Sequence, residues 1–240
     1  MPADRKTFVL AHGAWHGGWC WERVAARLHG HRVYTPSYTG MGERAHLMSA
    51  GITMTTFVDD LVRLIEGEDL RDVILVGHSL GGVPITGAAE RIPERIRRLV
   101  YLDGVVLESG KSPFDTYPPQ DVQSRIDAAQ NVGDCLVVLP PAPLPPFWGF
   151  APRTPDYDWV ARRLTPMPLK VYQTALTLKG PVGAGLPRTY VLATQPRSPV
   201  IAPSAALVKS WQGWDWIDFP GPHDCMVTHP EAVADLLLSF

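Results

Sequence analysis

Residues 72–82 read DVILVGHSLGG, a run of β-branched and apolar residues that ends in a glycine-rich turn. The run predicts a buried strand over 73–77, and the residues that follow, 81–91, are compatible with a helix. The turn carries the pattern GxSxG, whose small residues let the backbones of strand and helix approach each other closely. Strand, turn and helix together predict a nucleophile elbow with Ser79 at its tip.

Short apolar runs alternate with helix-type segments on either side of this elbow. Strands are predicted at 7–11, 32–35, 73–77, 98–103, 188–193 and 214–219. Helices are predicted at about 19–29, 56–66, 81–91, 203–211 and 230–239. Repeated β–α units of this kind predict an α/β protein whose parallel sheet is covered by helices on both faces.

The middle of the chain differs from the rest in its high proline content. Of the 24 prolines, 14 lie between residues 113 and 187, and a parallel sheet cannot absorb so many residues that lack a backbone N–H. We therefore predict an inserted cap or lid at 104–187 and a core formed by 1–103 and 188–240. Inside the cap, we expect helices at 121–130 and 156–179, the second interrupted at Pro166 and Pro168, and an extended connection at 139–146.

Composition narrows the choice of partners. The 240 residues are 45% hydrophobic and carry a formal charge of −2, which gives no long-range field for nucleic acid or an anionic membrane. The first six residues contain no signal-type apolar region, and no stretch approaches the roughly 18 apolar residues of a membrane span. We expect a cytoplasmic protein with a small-molecule partner, without nucleic-acid or membrane partners. Oligomeric state stays open, with a homodimer as one option.

The cysteines give no sign of a cross-linked or metal-bound fold. Cys20, Cys135 and Cys225 are odd in number and lack CxxC spacing. This pattern argues against a disulfide framework and against a structural zinc site. We therefore expect buried thiols, no metal and no cofactor.

A serine hydroxyl is a weak nucleophile, so Ser79 needs a base and the base needs an orienting partner. Of the eight histidines, His223 fits best because it follows the last predicted strand. Parallel strands bring their carboxyl ends to one edge of the sheet, where Ser79 also lies. A chain order with serine first and histidine last agrees with this assignment. His229 is expected to have a capping or surface role at the entry to the last helix, and His78 is expected to point away from the nucleophile.

Backbone N–H groups are the donors that an oxyanion requires, and two loops can supply them. One donor is predicted at Leu80, immediately after the nucleophile. The other is predicted at Ala14, in the segment HGAWHGGW that begins at His12 after the first strand. Gly13 lets this backbone approach the site closely.

Several segments together resemble one known family. They are FVLAHGAWHGGWCW at 8–21, GHSLGG at 77–82, LTPMP at 164–168, GPH at 221–223 and THPE at 228–231. The chain resembles, over nearly its whole length, the α/β-hydrolase branch of plant methylesterases, hydroxynitrile lyases and bacterial esterases related to pyrethroid hydrolases. The resemblance implies an α/β-hydrolase fold with a six-stranded, mainly parallel sheet, a cap over the site and the oxyanion donors named above.

The chain departs from that branch at the triad acid. The branch usually carries this acid after the strand predicted at 188–193, but the loop here, 194–199, reads TQPRSP without a carboxylate. Asp103 ends the strand predicted at 98–103, so its carboxylate would share an edge of the sheet with Ser79 and His223. Haloalkane dehalogenases look similar in placing an acid after this strand. We assign the orienting role to Asp103; the weaker alternatives are Asp215, Asp218 and Asp224.

The residues beside the base favour hydrolysis. By the resemblance, the lyases place a lysine next to the base and a threonine in the first loop, where this chain has Asp224 and Gly13. We predict a serine hydrolase that cleaves a small, apolar carboxylic ester through an acyl-enzyme. The alternatives are a lactonase, a hydroxynitrile-lyase-like enzyme and a non-catalytic protein that binds a small ligand. The candidate substrate-binding residues are Trp15, Phe147, Trp148 and Trp159.

Overall fold

The computed structural model describes residues 5–240; of the first six residues considered in the sequence analysis, residues 1–4 lie outside the described part. In this part of the chain the strands are β1 (Thr7–Ala11), β2 (Arg32–Tyr34), β3 (Val73–His78), β4 (Ile96–Leu102), β5 (Gln130–Val132), β6 (Cys135–Val138), β7 (Met167–Pro168), β8 (Arg188–Ala193) and β9 (Asp215–Phe219). Six of them form one sheet in the order β2-β1-β3-β4-β8-β9. All neighbouring pairs in this sheet are parallel, which confirms the predicted fold class.

The helices of the described residues are α1 (Glu22–Ala25), α2 (Met54–Gly67), α3 (Gly82–Arg91), α4 (Pro119–Asp127), α5 (Pro155–Ala161), α6 (Leu169–Gln173), α7 (Ala202–Lys209), α8 (Cys225–Thr228) and α9 (Pro230–Leu238). Among them, α2, α3, α7 and α9 lie close to their predicted bounds. The helix predicted at 19–29 is much shorter: a 3-10 turn, Gly18–Trp21, leads into α1. Residues 26–30 then form turns that carry the chain into β2, and Gly30 adopts a φ of +90°.

The sheet separates two apolar cores. Side chains alternate between the faces of a strand, so Val9 and Ala11 of β1 join one core while Phe8 and Leu10 join the other. The first core includes the buried faces of α2, α3 and α7, and the second includes those of α1 and α9. Helices therefore cover both faces, as the sequence predicts.

The chain between β4 and β8 is irregular and rich in short elements. It contains α4, α5, α6 and a small antiparallel sheet in the order β5-β6-β7. The helical interpretation of 156–179 is wrong over most of that range, because only α5 and α6 are helical. Pro168 instead pairs with Val137 at the edge of the small sheet, where the missing N–H of a proline is tolerated.

Two further expectations concern the whole chain. Within residues 5–240, no helix combines the length and the apolar character needed to cross a membrane. Cys20, Cys135 and Cys225 are all buried and unbridged, in agreement with the sequence analysis.

Candidate active site

Ser79 lies at the tip of a tight turn between β3 and α3. Its φ is +52°, a left-handed conformation that is uncommon for a residue with a side chain. The two glycines of the motif are required by close backbone contacts: a Cβ on Gly77 would lie 2.5 Å from the carbonyl oxygen of Gly81, and one on Gly81 would lie 2.6 Å from that of His12. The elbow predicted from GxSxG is therefore formed.

Asp103 and His223 meet at the carboxyl edge of the sheet. The His223 Nδ1 atom lies 2.6 Å from Asp103 Oδ2, and both side chains are buried. The second oxygen of Asp103 accepts the N–H of Ala193, at the end of β8, at 3.1 Å. Burial by itself lowers the pKa of the His223 imidazole, but the hydrogen bond and charge of Asp103, together with the charge of Asp224, raise it above its usual value.

The alternative carboxylates are engaged elsewhere. Asp224 Oδ2 lies 3.2 Å from His16 Nε2. Asp215 forms an exposed ion pair with Arg98 at 2.6 Å, and Asp218 accepts the indole N–H of Trp216 at 2.9 Å. Of the four candidate acids, Asp103 is the one whose carboxylate bonds the His223 ring.

The loop after β1 presents the Ala14 N–H to the site. In the described residues this N–H donates no hydrogen bond, although Ala14 is buried. His12 fixes the orientation of the same peptide group, because His12 Nδ1 lies 2.8 Å from the carbonyl oxygen of Gly13. Its other nitrogen, Nε2, accepts the Tyr38 N–H at 3.2 Å. Burial, the largest influence, lowers the pKa of His12 to about 3, so the ring is neutral and donates from Nδ1.

A trans peptide points its carbonyl and its N–H in opposite directions. Since the Gly13 carbonyl is turned towards His12, the Ala14 N–H is turned away from it. Leu80, the second predicted donor, directly follows Ser79 in the short 3-10 turn Ser79–Gly81. Both Ala14 and Leu80 line the same cavity as Ser79.

This cavity has a volume of about 310 Å³ and is walled mainly by apolar and aromatic side chains. It contains Ser79 and His223, and three of the four candidate substrate-binding residues line it, namely Trp15, Phe147 and Trp148. Trp159 does not. Its ring packs edge-on against Trp19, with centroids 5.1 Å apart, and the guanidinium groups of Arg23 and Arg163 lie over it.

The segment predicted as a cap contacts the loop of His223 through backbone groups. The His223 N–H donates to the carbonyl oxygen of Phe147 at 3.0 Å, and the Asp224 N–H donates to that of Trp148 at 3.3 Å. Trp15 connects the same segment to the loop after β1, because its indole N–H donates to Val138 O at 3.1 Å. The same segment therefore accepts hydrogen bonds from both loops of the site.

Residues 8–236 match the model of the alpha/beta hydrolase family. The chain belongs to this family. The hydrolase is 42% identical over 243 residues to the carbendazim hydrolyzing esterase of Nocardioides sp. (strain SG-4G). This alignment covers 97% of the hydrolase and 98% of the relative.

Two further relatives support the predicted branch. Putative methylesterase 14, chloroplastic, of Arabidopsis thaliana is 36% identical over 115 residues, covering 47% of the hydrolase and 33% of the plant protein. An extracellular alpha/beta-hydrolase from a Paenibacillus species, described as a structural and functional homologue of tobacco salicylic acid binding protein 2, superposes with a TM-score of 0.80 at 26% identity. That comparison covers 98% of both chains. The predicted resemblance is confirmed, and the hydrolase is a carboxylic ester hydrolase.

Sequence reasoning missed a buried cluster beside the base. No role was predicted for His78, but its side chain is fully buried, with its ring centroid 4.6 Å from that of His223. His16 and Asp224 complete the cluster. The second histidine of HGAWH was the available signal, but its partner is 208 positions away, so no local pattern connects the two.

The same cluster is the best candidate for a metal centre in the described residues. Ligand-type atoms of His78, His223 and Asp224 lie within 4.8 Å of one another. However, His78 Nε2 is hydrogen-bonded to the carbonyl oxygen of His223 at 2.9 Å, and His223 Nδ1 is bonded to Asp103. The set therefore fits a hydrogen-bonded cluster in the hydrolase better than a metal site.

Proposed function

We propose that this hydrolase is a serine esterase in which Ser79 is the nucleophile, His223 the base and Asp103 the orienting acid. The contact of 2.6 Å between His223 Nδ1 and Asp103 Oδ2 carries the proposal. With Nδ1–H donating to the carboxylate, Nε2 is left with a lone pair to accept the proton of a serine hydroxyl.

The geometry supports a two-step reaction. Ser79 Oγ attacks the ester carbonyl as His223 takes its proton, and the carbonyl oxygen gains negative charge that the N–H groups of Ala14 and Leu80 stabilise. His223 then returns the proton to the leaving alcohol, which gives an acyl-enzyme. In the second step His223 deprotonates water, the water attacks the acyl carbon, and the proton returns to Ser79 as the acid leaves.

The cavity favours a small, apolar ester. A volume of about 310 Å³ lies at the lower end of the range of about 300–1,000 Å³ for small-molecule sites. Aromatic side chains such as Phe147 and Trp148 form much of its wall. The features that would favour a lyase are replaced, because Gly13 has no hydroxyl and Asp224 is bonded to His16.

Two reagents test this proposal on the intact protein. We expect the wild type to hydrolyse p-nitrophenyl acetate and to be labelled by a fluorophosphonate probe on the peptide that contains Ser79. Ser79→Ala removes both signals, while Ser210→Ala, a change at an exposed serine, keeps both. A wild type that shows neither turnover nor labelling would instead support the non-catalytic ligand-binding alternative, and labelling at another residue would overturn the assignment of Ser79.

A further inference from the structure

A buried carboxylate lies behind the base and is not needed for the triad. Asp224 is fully buried and follows His223 in the chain, but its carboxylate is hydrogen-bonded to His16, whereas the His223 ring is hydrogen-bonded to Asp103. Oδ2 lies 3.2 Å from His16 Nε2, and Oδ1 lies 3.6 Å from His78 Nε2. A buried charge is costly unless it is paired, so the two histidines are the groups that accommodate it.

His16 is hydrogen-bonded at both ring nitrogens. Nε2 faces the Asp224 carboxylate, and Nδ1 lies 2.8 Å from the carbonyl oxygen of Ala14. Both partners are oxygen acceptors, so each of these hydrogen bonds is made with the ring nitrogen as donor. Burial alone would raise the pKa of the Asp224 carboxyl, but the charge and hydrogen bond of His16, with the charges of His78 and His223, hold it below its usual value.

His78 connects the same carboxylate to the base loop. Its Nε2 lies 2.9 Å from the carbonyl oxygen of His223, so this nitrogen carries the proton and donates it. Burial, the largest influence, and the neighbouring His223 lower the pKa of His78 well below its usual value, so the ring is neutral. The negative Oδ1 of Asp224 near Nε2 favours the tautomer in which this nitrogen is protonated.

We propose that Asp224 is a positioning residue that holds the oxyanion loop and the base loop in register, through His16 on one side and His78 on the other. The inference rests on the proposed function. Through His16 the carboxylate fixes the carbonyl of Ala14, the residue whose N–H is the proposed oxyanion donor. At 3.6 Å from His78 Nε2, its charge favours the ring tautomer whose Nε2–H donates to the backbone carbonyl of His223. A single buried group thereby sets the distance between the two parts of the site that must act on one carbonyl.

The expected kinetic result is a loss of kcat. A displacement of about 1 Å in a catalytic group can cost about 100-fold in rate. We expect Asp224→Leu, which fills similar space without hydrogen bonds, to lower kcat for p-nitrophenyl acetate about 100-fold while KM changes less than about threefold. Asp235→Leu, at an exposed position of α9, serves as the matched control and keeps the wild-type kcat.

The conservative variant separates positioning from simple packing. In Asp224→Asn the amide N–H can donate to His16 Nε2, while His16 Nδ1–H still donates to Ala14 O, so the bridge survives with a neutral ring. We expect this variant to retain kcat within about tenfold of wild type. His16→Phe breaks the same bridge from the other partner, and the double variant with Asp224→Leu should lose no more than either single change.

The outcomes are distinct. Folded Asp224→Leu and His16→Phe proteins with kcat near wild type, or a loss confined to KM, would overturn the inference, as would Asp224→Asn being as inactive as Asp224→Leu. If Asp224→Leu does not fold, as judged by circular dichroism, His16→Phe and Asp224→Asn still decide the matter. Failure of the proposed function appears separately, as a wild type without turnover and without labelling of Ser79.

Discussion

Asp103 Oδ2 lies 2.6 Å from His223 Nδ1 across 120 positions of sequence. The carboxylate also accepts the N–H of Ala193 at the end of β8. This second hydrogen bond fixes its orientation independently of His223. Asp103 is fully buried and is not part of the cavity wall. A substitution at this position therefore tests the base without altering the surface that a substrate contacts.

Asp103→Asn should lower kcat by about 10⁴-fold with little change in KM. An amide in place of the carboxylate can donate to His223 and so stabilise the wrong tautomer of the ring, the effect that removes activity in other serine triads. Steady-state kinetics with p-nitrophenyl acetate measure it. Asp215→Asn, which changes only an exposed ion pair with Arg98, is the control. A kcat within tenfold of wild type would move the orienting role away from Asp103.

The pH dependence of kcat/KM should have an acidic limb set by His223. Burial alone lowers the pKa of this ring, but Asp103 raises it above the usual value. Because the base acts in its neutral form, activity is lost as pH falls below that pKa and is complete above it. We expect the midpoint above the ordinary histidine value of about 6.5. Asp103→Asn should shift the midpoint to lower pH, and an unshifted midpoint would assign the limb to another group.

Gly13→Ala should reduce activity without unfolding the protein. A Cβ at this position would lie 2.8 Å from Ser79 Cβ and 3.1 Å from His78 Nδ1, so the loop or the nucleophile must move. We expect kcat to fall by about 100-fold, the scale for a misplacement of about 1 Å. Gly67→Ala, where a Cβ has no neighbour within 4 Å, should match wild type. Equal activity in the two variants would show that the loop adapts at no cost.

The aromatic residues of the cap should divide into two classes. Phe147 lines the cavity, so Phe147→Ala should raise KM for p-nitrophenyl butyrate several-fold. Trp159 packs on Trp19 outside it, so Trp159→Ala should leave KM unchanged but lower the free energy of unfolding by about 1–3 kcal/mol, as expected for a large, partly buried side chain. Urea denaturation and steady-state kinetics on both variants compare the two. An elevated KM in Trp159→Ala would restore its substrate-binding role.

Arg125 gives the cavity a positive charge. It is the sole Lys or Arg in the described cavity wall, lies over the Tyr117 ring at 4.6 Å, and forms no ion pair among residues 5–240. Arg125→Met should lower kcat/KM for p-nitrophenyl hemiglutarate, whose far end is a carboxylate, about tenfold, consistent with a charge-assisted hydrogen bond. The neutral p-nitrophenyl valerate should change less than about twofold. Equal effects on both esters would show that the guanidinium acts only by packing.

The sheet and the elbow could be predicted from sequence because their signals are local. β3 reads as a continuous apolar run, and the close contact that requires Gly77 is made within the turn itself, with Gly81. Topology made Asp103 the first choice of acid, since the ends of parallel strands share one edge, with Asp215, Asp218 and Asp224 kept as alternatives. The six strands, the elbow and the meeting of Asp103 with His223 therefore follow from periodicity and connectivity.

Other features depend on contacts that no local pattern records. The strand β5 consists of Gln130, Asn131 and Val132, all exposed, and is too short to show an alternating pattern. The pairing of His16 with Asp224 joins two loops that are distant in sequence, and it was hidden further because Asp224 looked like an alternative acid. The position of Trp159 could not be predicted either, since the sequence does not indicate whether an aromatic residue of the cap faces the cavity or packs outside it.

The two backbone hydrogen bonds from the base loop to Phe147 O and Trp148 O limit how this enzyme can be engineered. Gly149 adds a steric restriction, because a Cβ there would lie 2.3 Å from Pro222 Cγ. A cap grafted from another hydrolase would have to keep the backbone course of 146–149 and the glycine at 149, or the graft would displace the base. Libraries aimed at new substrates should instead diversify 139–145, which borders the cavity upstream of these contacts.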